Sequence, residues 1–541
     1  MALGISRRAV LAGTAGLGLA GLAACGTGGG SGENGNPPGG NNNSDSVLPA
    51  YTPVELVKPD VPGTDIVMPA YFSYPQNTEK VFDTPPGEGL EKISIAYTTF
   101  QPVPTGPDSN SFWKQLQEDV GTTVELQPVP SSEYTKVFPT RVAGDQLADI
   151  MFLPRPVPEM PALLERKFAD LGPLLSGDAA NDFPYLANIP TASWRWTRAN
   201  GTIQAVPQHR AVTGAAIFTR PDILAELGAT EEPKDFAEFE EMVRTVSDPK
   251  QDRWAFSNTA SMRTAILSML GGPNGWSESG GTLTSQYADE RYRQALGIMA
   301  DWVAKEYAHP EAATAPYAQH REYFRLGNTA FLGDGYAAWE LLVRMLDGDV
   351  SKLSMMVLPK YDGGGDYSLN AGTGIQGITV VNKKLEGDKL RAALNVLNFL
   401  AAPIGSAEHL RRKYGVEGKD YTFSDGFPVL TESGTSNFID LQYVVDSPTI
   451  IGPTDEQSAR IQAEWHTRVA KNLVLNPTHG LYSETEASKG SALGRELSDV
   501  IDGVTYGRNT LEEYDAAVAK WRKDGGDQIA EEYAQAIAEQ E

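Results

Sequence analysis

Apolar and polar positions along the chain switch between short strand-like runs and helical stripes. Lys92-Ile-Ser-Ile-Ala-Tyr97 alternates with period two, as a half-buried strand does. Phe112 to Val120 suits a helix, and Thr123-Val-Glu-Leu-Gln-Pro-Val129 returns to the strand pattern. Asp149-Ile-Met-Phe-Leu153 is a third apolar run, stopped by Pro154. Strands alternating with helices predict an α/β architecture with a mostly parallel sheet. Later, Tyr292, Leu296, Met299 and Val303 recur at helical spacing. Thr510-Leu-Glu-Glu513 is a capping box opening the stripe Leu511, Tyr514, Val518, Trp521. Gly525-Gly526 is expected to end that helix, and Ile529, Tyr533 and Ile537 to begin another. These stripes read as core. No repeat is present at the 20–50-residue periods of solenoids. Residues 47–89, rich in proline and without periodicity, read as an extended arm lying on the body.

The N-terminus changes the picture. Arg7-Arg8 is followed by 16 uncharged residues that end in Leu22-Ala-Ala, and then by Cys25. That layout is an export signal, too short for the roughly 20 residues of a membrane span. Leu-Ala-Ala-Cys resembles a bacterial lipobox, which makes Cys25 the expected lipidation site and residues 1–25 the signal. The paired arginines resemble a twin-arginine signal, with Val10 where an aromatic is usual. The only cysteine falls at the one position such a signal needs. Residues 26–46 hold eight glycines, five asparagines and no hydrophobic residue, a disordered linker reaching about 25 Å. No later run is long and apolar enough to span a bilayer.

Charge then narrows the function classes. The chain has 541 residues, 45 Lys+Arg and 70 Asp+Glu, for a formal charge of −25. Losing Arg7 and Arg8 with the signal makes this −27. Such acidity argues against nucleic acid and against anionic membrane surfaces as partners. The length exceeds one core, so two or more domains are expected. One cysteine excludes a disulfide framework. Six scattered histidines give no metal motif, and Ser247 to Arg253 lacks the alternating ligands of a calcium loop. No metal and no cofactor are expected. Gly372-Thr-Gly-Ile-Gln-Gly377 fits a dinucleotide fingerprint, but a strand, Ile378-Thr-Val-Val381, follows where a helix is required. It reads better as a glycine turn where backbones meet. Gly275-Trp-Ser-Glu-Ser lacks the closing glycine of a nucleophile elbow. Seventy acidic residues single out no glycosidase pair. The tryptophans say more. Trp113, Trp194, Trp196, Trp276 and Trp339 offer indole faces suited to the flat C–H faces of sugars, with core packing as the alternative. In an extended segment Trp194 and Trp196 would share one face.

Over residues 90–541 the chain resembles the extracellular solute-binding lipoproteins of bacterial carbohydrate ABC importers. The branch is the large oligosaccharide binders similar to those of alginate and rhamnogalacturonan uptake. The marks are Lys92–Tyr97, Ala143-Gly-Asp145-Gln-Leu-Ala-Asp149, Gly201-Thr-Ile-Gln-Ala-Val-Pro207, and Phe218-Thr-Arg220-Pro through Gly228. Further marks are Gly272-Pro-Asn-Gly-Trp276 and Gly327 to Tyr336. Most specific are Lys413-Tyr-Gly-Val-Glu-Gly-Lys-Asp-Tyr-Thr422 and Trp521-Arg-Lys-Asp-Gly-Gly-Asp-Gln528. The resemblance implies a two-lobed periplasmic-binding-protein fold, type II-like, with interleaved lobes joined by hinge strands. Lobe one takes 90–207 plus 361–430, and lobe two 208–360 plus 431–541. Hinges are expected near Val206–Gln208 and Leu358–Tyr361.

Function follows by implication: no catalysis, an oligosaccharide captured in the interlobe cleft, and delivery to the transmembrane subunits of an ABC permease. The expected protein is a monomer held by lipid at Cys25 to the outer face of the cell membrane. Clefts lie off the carboxyl ends of strands. That selects Phe100, Gln101, Arg155, Gln208, His209, Arg210, Tyr367 and Asn370 as ligand contacts, with Trp194 and Trp196 before the first hinge. Pattern adds Trp276, Tyr336 and Trp339 as stacking platforms. Gln208 and Arg210 would meet hydroxyls or carboxylates, and Arg155 a uronate through a bidentate contact. A non-sugar solute such as a peptide, a surface-anchored polysaccharide-degrading enzyme and an adhesin are the alternatives.

Overall fold

The computed structural model describes residues 47–539, apart from 65, 156, 230–231, 448 and 453–454. The expected signal, Cys25 and the linker lie outside the described residues.

Eight strands carry the architecture: β1 (Lys92–Thr99), β2 (Thr123–Pro130), β3 (Ile150–Leu153), β4 (Val206–His209), β5 (Ala215–Thr219), β6 (Phe331–Gly335), β7 (Ser354–Met356) and β8 (Ile375–Val381). A five-stranded sheet runs β2-β1-β3-β8-β4, and a three-stranded sheet runs β6-β5-β7. In the larger sheet β1 is parallel to both neighbours, while β8 is antiparallel to β3 and β4. The sheet is thus more mixed than its first three strands predict. β8 enters after a long excursion, not through a local crossover helix, so nothing forces it parallel. Between β1 and β2 lies helix α1 (Ser111–Val120). The Asn110 side chain accepts its Trp113 N–H, and Gly121 closes it at φ +76.

Each sheet centres a hydrophobic body. Phe218, Phe239, Leu296, Trp302 and Tyr514 belong to the core around the small sheet. Ile95, Tyr97, Phe183, Leu397 and Val445 belong to a core on the large sheet. The chain passes between the bodies around 210–214, 371–374 and between Val445 and Ile450. These passages differ from the expected boundaries. Tyr367 and Leu369 belong to the small-sheet core, and Ile439, Leu441 and Val444 to the large-sheet core. The glycine-rich stretch after Leu358 is a turn inside one body: Pro359 bridges Asp366, and Lys360 N–H donates to Gly365. At the first two passages the backbones touch. A Cβ on Gly372 would lie 2.6 Å from Gly214 Cα, which is why the motif needs glycine there.

The proline-rich arm contacts both bodies. Leu48 enters the large-sheet core, and Met68 and Ala70 the small-sheet core. Ala70–Tyr71 pairs in parallel with Ile450–Ile451. The arm then returns, with the Tyr74 hydroxyl 2.8 Å from His409 Nδ1 and Phe82 against Tyr185 and Phe399.

Near the C-terminus run α2 (Ser491–Thr505), α3 (Leu511–Trp521) and α4 (Asp527–Ala538). The Thr510/Glu513 capping box is formed. As expected, Gly525-Gly526 separates α3 from α4: Gly525 leaves the helical region, at φ 169 and ψ −17, and kinks the chain between the two helices. A Cβ on Gly526 would come within 2.5 Å of the Trp521 indole, so the glycine lets that ring lie against the backbone.

Candidate functional site

The strand directions bring one edge of the large sheet to the gap between the bodies. β1, β3 and β4 end there, leading to Phe100, Arg155 and Arg210, and β8 begins there at Ile375. At this edge lies a cavity of about 490 Å³, inside the range of small-ligand pockets. The large-sheet body lines it with Arg155, Trp196 and Ile375. The small-sheet body contributes Trp276, Tyr287, Trp521 and Tyr533, and the segment 476–483 closes one side with His479 and Tyr482.

Arg155 is partly buried and stacks over Trp196, its guanidinium carbon 5.3 Å from the ring centre. It donates to the Trp196 carbonyl. Among the described residues no carboxylate pairs with it. Burial pushes its pKa down to about 10. The guanidinium is therefore a cation with spare donors in a shielded place, suited to a carboxylate or clustered hydroxyls. Trp196 is fixed by its indole N–H, which donates to the Thr373 carbonyl at 2.8 Å. The His479 ring lies 5.3 Å away, and burial pushes that imidazole down to about 4, so it is neutral near pH 7.

The facing wall is aromatic. Trp276 opens a hairpin strand, Trp276–Ser279, and lies 6.2 Å from Trp521 and 6.1 Å, edge-on, from Tyr533. The Tyr533 hydroxyl donates to Glu486 at 2.6 Å, which fixes a second polar group in the lining. Partly buried indoles beside one cation and one carboxylate can take apolar ring faces and fix hydroxyls.

Of the residues expected from sequence, Arg155, Trp196 and Trp276 meet in this cavity. The others do not line it. Trp194 is buried in the large-sheet core, its N–H donated to Ile189. Residues 191–197 are helical, not extended, so the two tryptophans do not share one face: Trp194 packs in that core and Trp196 lines the cavity. Tyr336 and Trp339 are also buried, donating to Gln462 at 2.6 Å and Ser458 at 2.7 Å. Their polar ends are satisfied by helix Glu456–Val469, which makes them packing residues in this conformation. Tyr367 is buried. Gln208 is fully buried between Thr379 and the Tyr443 carbonyl. His209 is held by Ser193, and burial pushes its pKa down to about 4. Asn370 lies in the short pairing with Leu473–Val474. Phe100 and Arg210 instead each lie against Tyr443, at 4.9 and 5.2 Å, while the Gln101 N–H turns back to Thr99.

Sequence reasoning missed Tyr287, His479, Tyr482, Glu486, Trp521 and Tyr533. Trp521 and Tyr533 do belong to the small-sheet core, as their stripes predict, yet one side of each faces the cavity. The double glycine at the kink between them was the available signal.

The family described as bacterial extracellular solute-binding protein matches residues 104–405. The polygalacturonan/rhamnogalacturonan-binding protein YtcQ of Bacillus subtilis (strain 168) is 23% identical over 384 residues, covering 67% of this chain and 75% of that one. Lipoprotein LipO of the same strain is 20% identical, covering 78% of this chain and 88% of its own. Among solved structures, the N-glycan transport solute binding protein NgtS of Streptococcus pneumoniae superposes with a TM-score of 0.62. It has 15% identity and covers 83% of this chain and 99% of its own. The alginate-binding protein AlgQ2 gives 0.59 and 15%, covering 86% and 100%.

Proposed function

Since the chain belongs to the bacterial extracellular solute-binding protein family, we propose that it captures an oligosaccharide in the interbody cavity and delivers it to an ABC permease. The observation that carries this reading is the cavity itself: tryptophans from both bodies, one arginine with no carboxylate partner among the described residues, and lining from both sides of the passages. A ligand touching both bodies favours the state in which they are close, so capture and closure are one population shift. The passages at 210–214 and 371–374 serve as hinges. Relatives named for binding polygalacturonan, rhamnogalacturonan and alginate support a uronate-containing ligand, with its carboxylate on Arg155. No step of bond making is assigned to the protein. It works as a monomer, outside the cytoplasm, anchored by lipid at Cys25. LipO, named a lipoprotein, supports that anchor.

The test is a titration of purified protein with oligogalacturonides and neutral oligosaccharides, followed by tryptophan fluorescence and calorimetry, with product analysis. Saturable binding, a smaller radius of gyration and unchanged sugars are expected. New reducing ends or unsaturated products would refute the binding-only reading.

A further inference from the structure

Four glycines stand in the cavity wall, and three have reasons internal to the fold. Gly275 sits at φ +71, where side chains are strained, and a Cβ would meet the Asn476 amide at 2.7 Å. A Cβ on Gly377 would fall 2.2 Å from the Phe152 ring. On Gly490 it would lie 3.0 Å from Cγ of Glu486, the carboxylate that Tyr533 bonds.

Gly494 has no such reason. It lies within α2, with helical φ and ψ, and a Cβ there would meet no heavy atom within 4 Å. Glycine in a helix interior is destabilising relative to alanine, because the unfolded chain loses more freedom on folding. At Gly494 the fold bears that penalty with no steric return. What the missing side chain leaves empty is room in the cavity that Gly494 lines. Residues that cost stability without a packing reason concentrate where function needs them.

We propose that Gly494 is a specificity-determining residue. Its bare backbone lets the bulk of a bound glycan, ring substituents included, approach α2 directly, opposite the Arg155 and Trp196 side. The proposal rests on the reading of this cavity as a glycan site. Any side chain at position 494 would narrow the cavity and exclude broad ligands first.

The experiment uses the whole soluble protein with Gly494→Ala and Gly494→Leu, titrated with di-, tetra- and hexasaccharides of galacturonate and of mannose. Without ligand, both variants should melt at or above the wild-type temperature. With ligand, Gly494→Leu should lose about tenfold or more in affinity, as overpacking of a fitted site does. Gly494→Ala should lose less, and both losses should grow with ligand size. A stable Gly494→Leu variant that binds every glycan like wild type overturns the proposal alone. A wild type that binds none of the glycans overturns the glycan reading, and the proposal with it. A Gly494→Ala variant that melts well below wild type would show a structural reason for the glycine and overturn the proposal too.

Discussion

Arg155→Met keeps an unbranched side chain over Trp196 and removes the charge. In the unliganded protein the guanidinium has one carbonyl acceptor and no carboxylate among the described residues, and burial pushes its pKa down to about 10. Keeping a shielded charge unpaired costs the fold on the order of 1–3 kcal/mol. Its bond to the Trp196 carbonyl returns about 1 kcal/mol. Arg155→Met should therefore leave the melting temperature unchanged or raise it slightly. Binding should behave oppositely. A charge-assisted bond to a carboxylate contributes about 1.5–3 kcal/mol, so affinity for an oligogalacturonide should fall roughly 10- to 150-fold. A neutral oligosaccharide of the same length should lose only severalfold. Calorimetry at two salt concentrations reads both numbers, and the salt dependence of the acidic ligand should weaken in the variant. Equal losses for acidic and neutral sugars would refute the carboxylate contact. A large drop in melting temperature would refute the account of Arg155 as a charge held for the ligand.

Further outcomes can be checked in the same preparations. Trp276→Ala should weaken glycan binding by at least about tenfold, as loss of a stacked aromatic anchor does. It should change the unliganded melting temperature little, because the indole is only partly buried. Gly372→Ala should lose about 1–3 kcal/mol in denaturant unfolding, since its Cβ meets Gly214 backbone that cannot swing aside. Wild-type unfolding free energy in that variant would contradict the close approach. Burial raises the Asp440 pKa from 3.8 to about 6. The folded state thus holds a proton that the unfolded chain releases, so this residue's contribution to stability falls as pH rises from about 4 through 6. Asp440→Asn should raise the melting temperature at pH 7 and change it little at pH 4. An equal effect at both pH values would count against that cause.

Periodicity made the local elements legible. The runs at Lys92–Tyr97 and Thr123–Val129 are strands, and the stripe ending at Trp521 is a helix with its capping box. What periodicity could not supply was partnership. Pattern offers Trp339 as a stacking platform, and nothing local in the sequence says that helix Glu456–Val469 receives its N–H. The rule that ligands sit beyond strand ends led to Arg155, which lines the cavity, because the backbone alone fixes that position. It failed for Gln208 and His209, whose side chains turn into the sheet's own packing. Trp276 was legible from its glycine-flanked motif. Trp521 and Tyr533 were hidden because a residue with one side in the core and one in a cavity has the same helical spacing as any core residue.

The arm also covers an edge. Its partners are spread along the chain: Phe82 meets Tyr185, Tyr74 meets His409, 335 residues downstream, and Ala70 pairs with Ile450. Closing loops of that length costs chain entropy, so the docked arm adds non-local contacts of the kind that slow folding. A chain begun at residue 90 would leave the edge at Ile450–Ile451 bare, and an unpaired edge is a template for pairing with another chain.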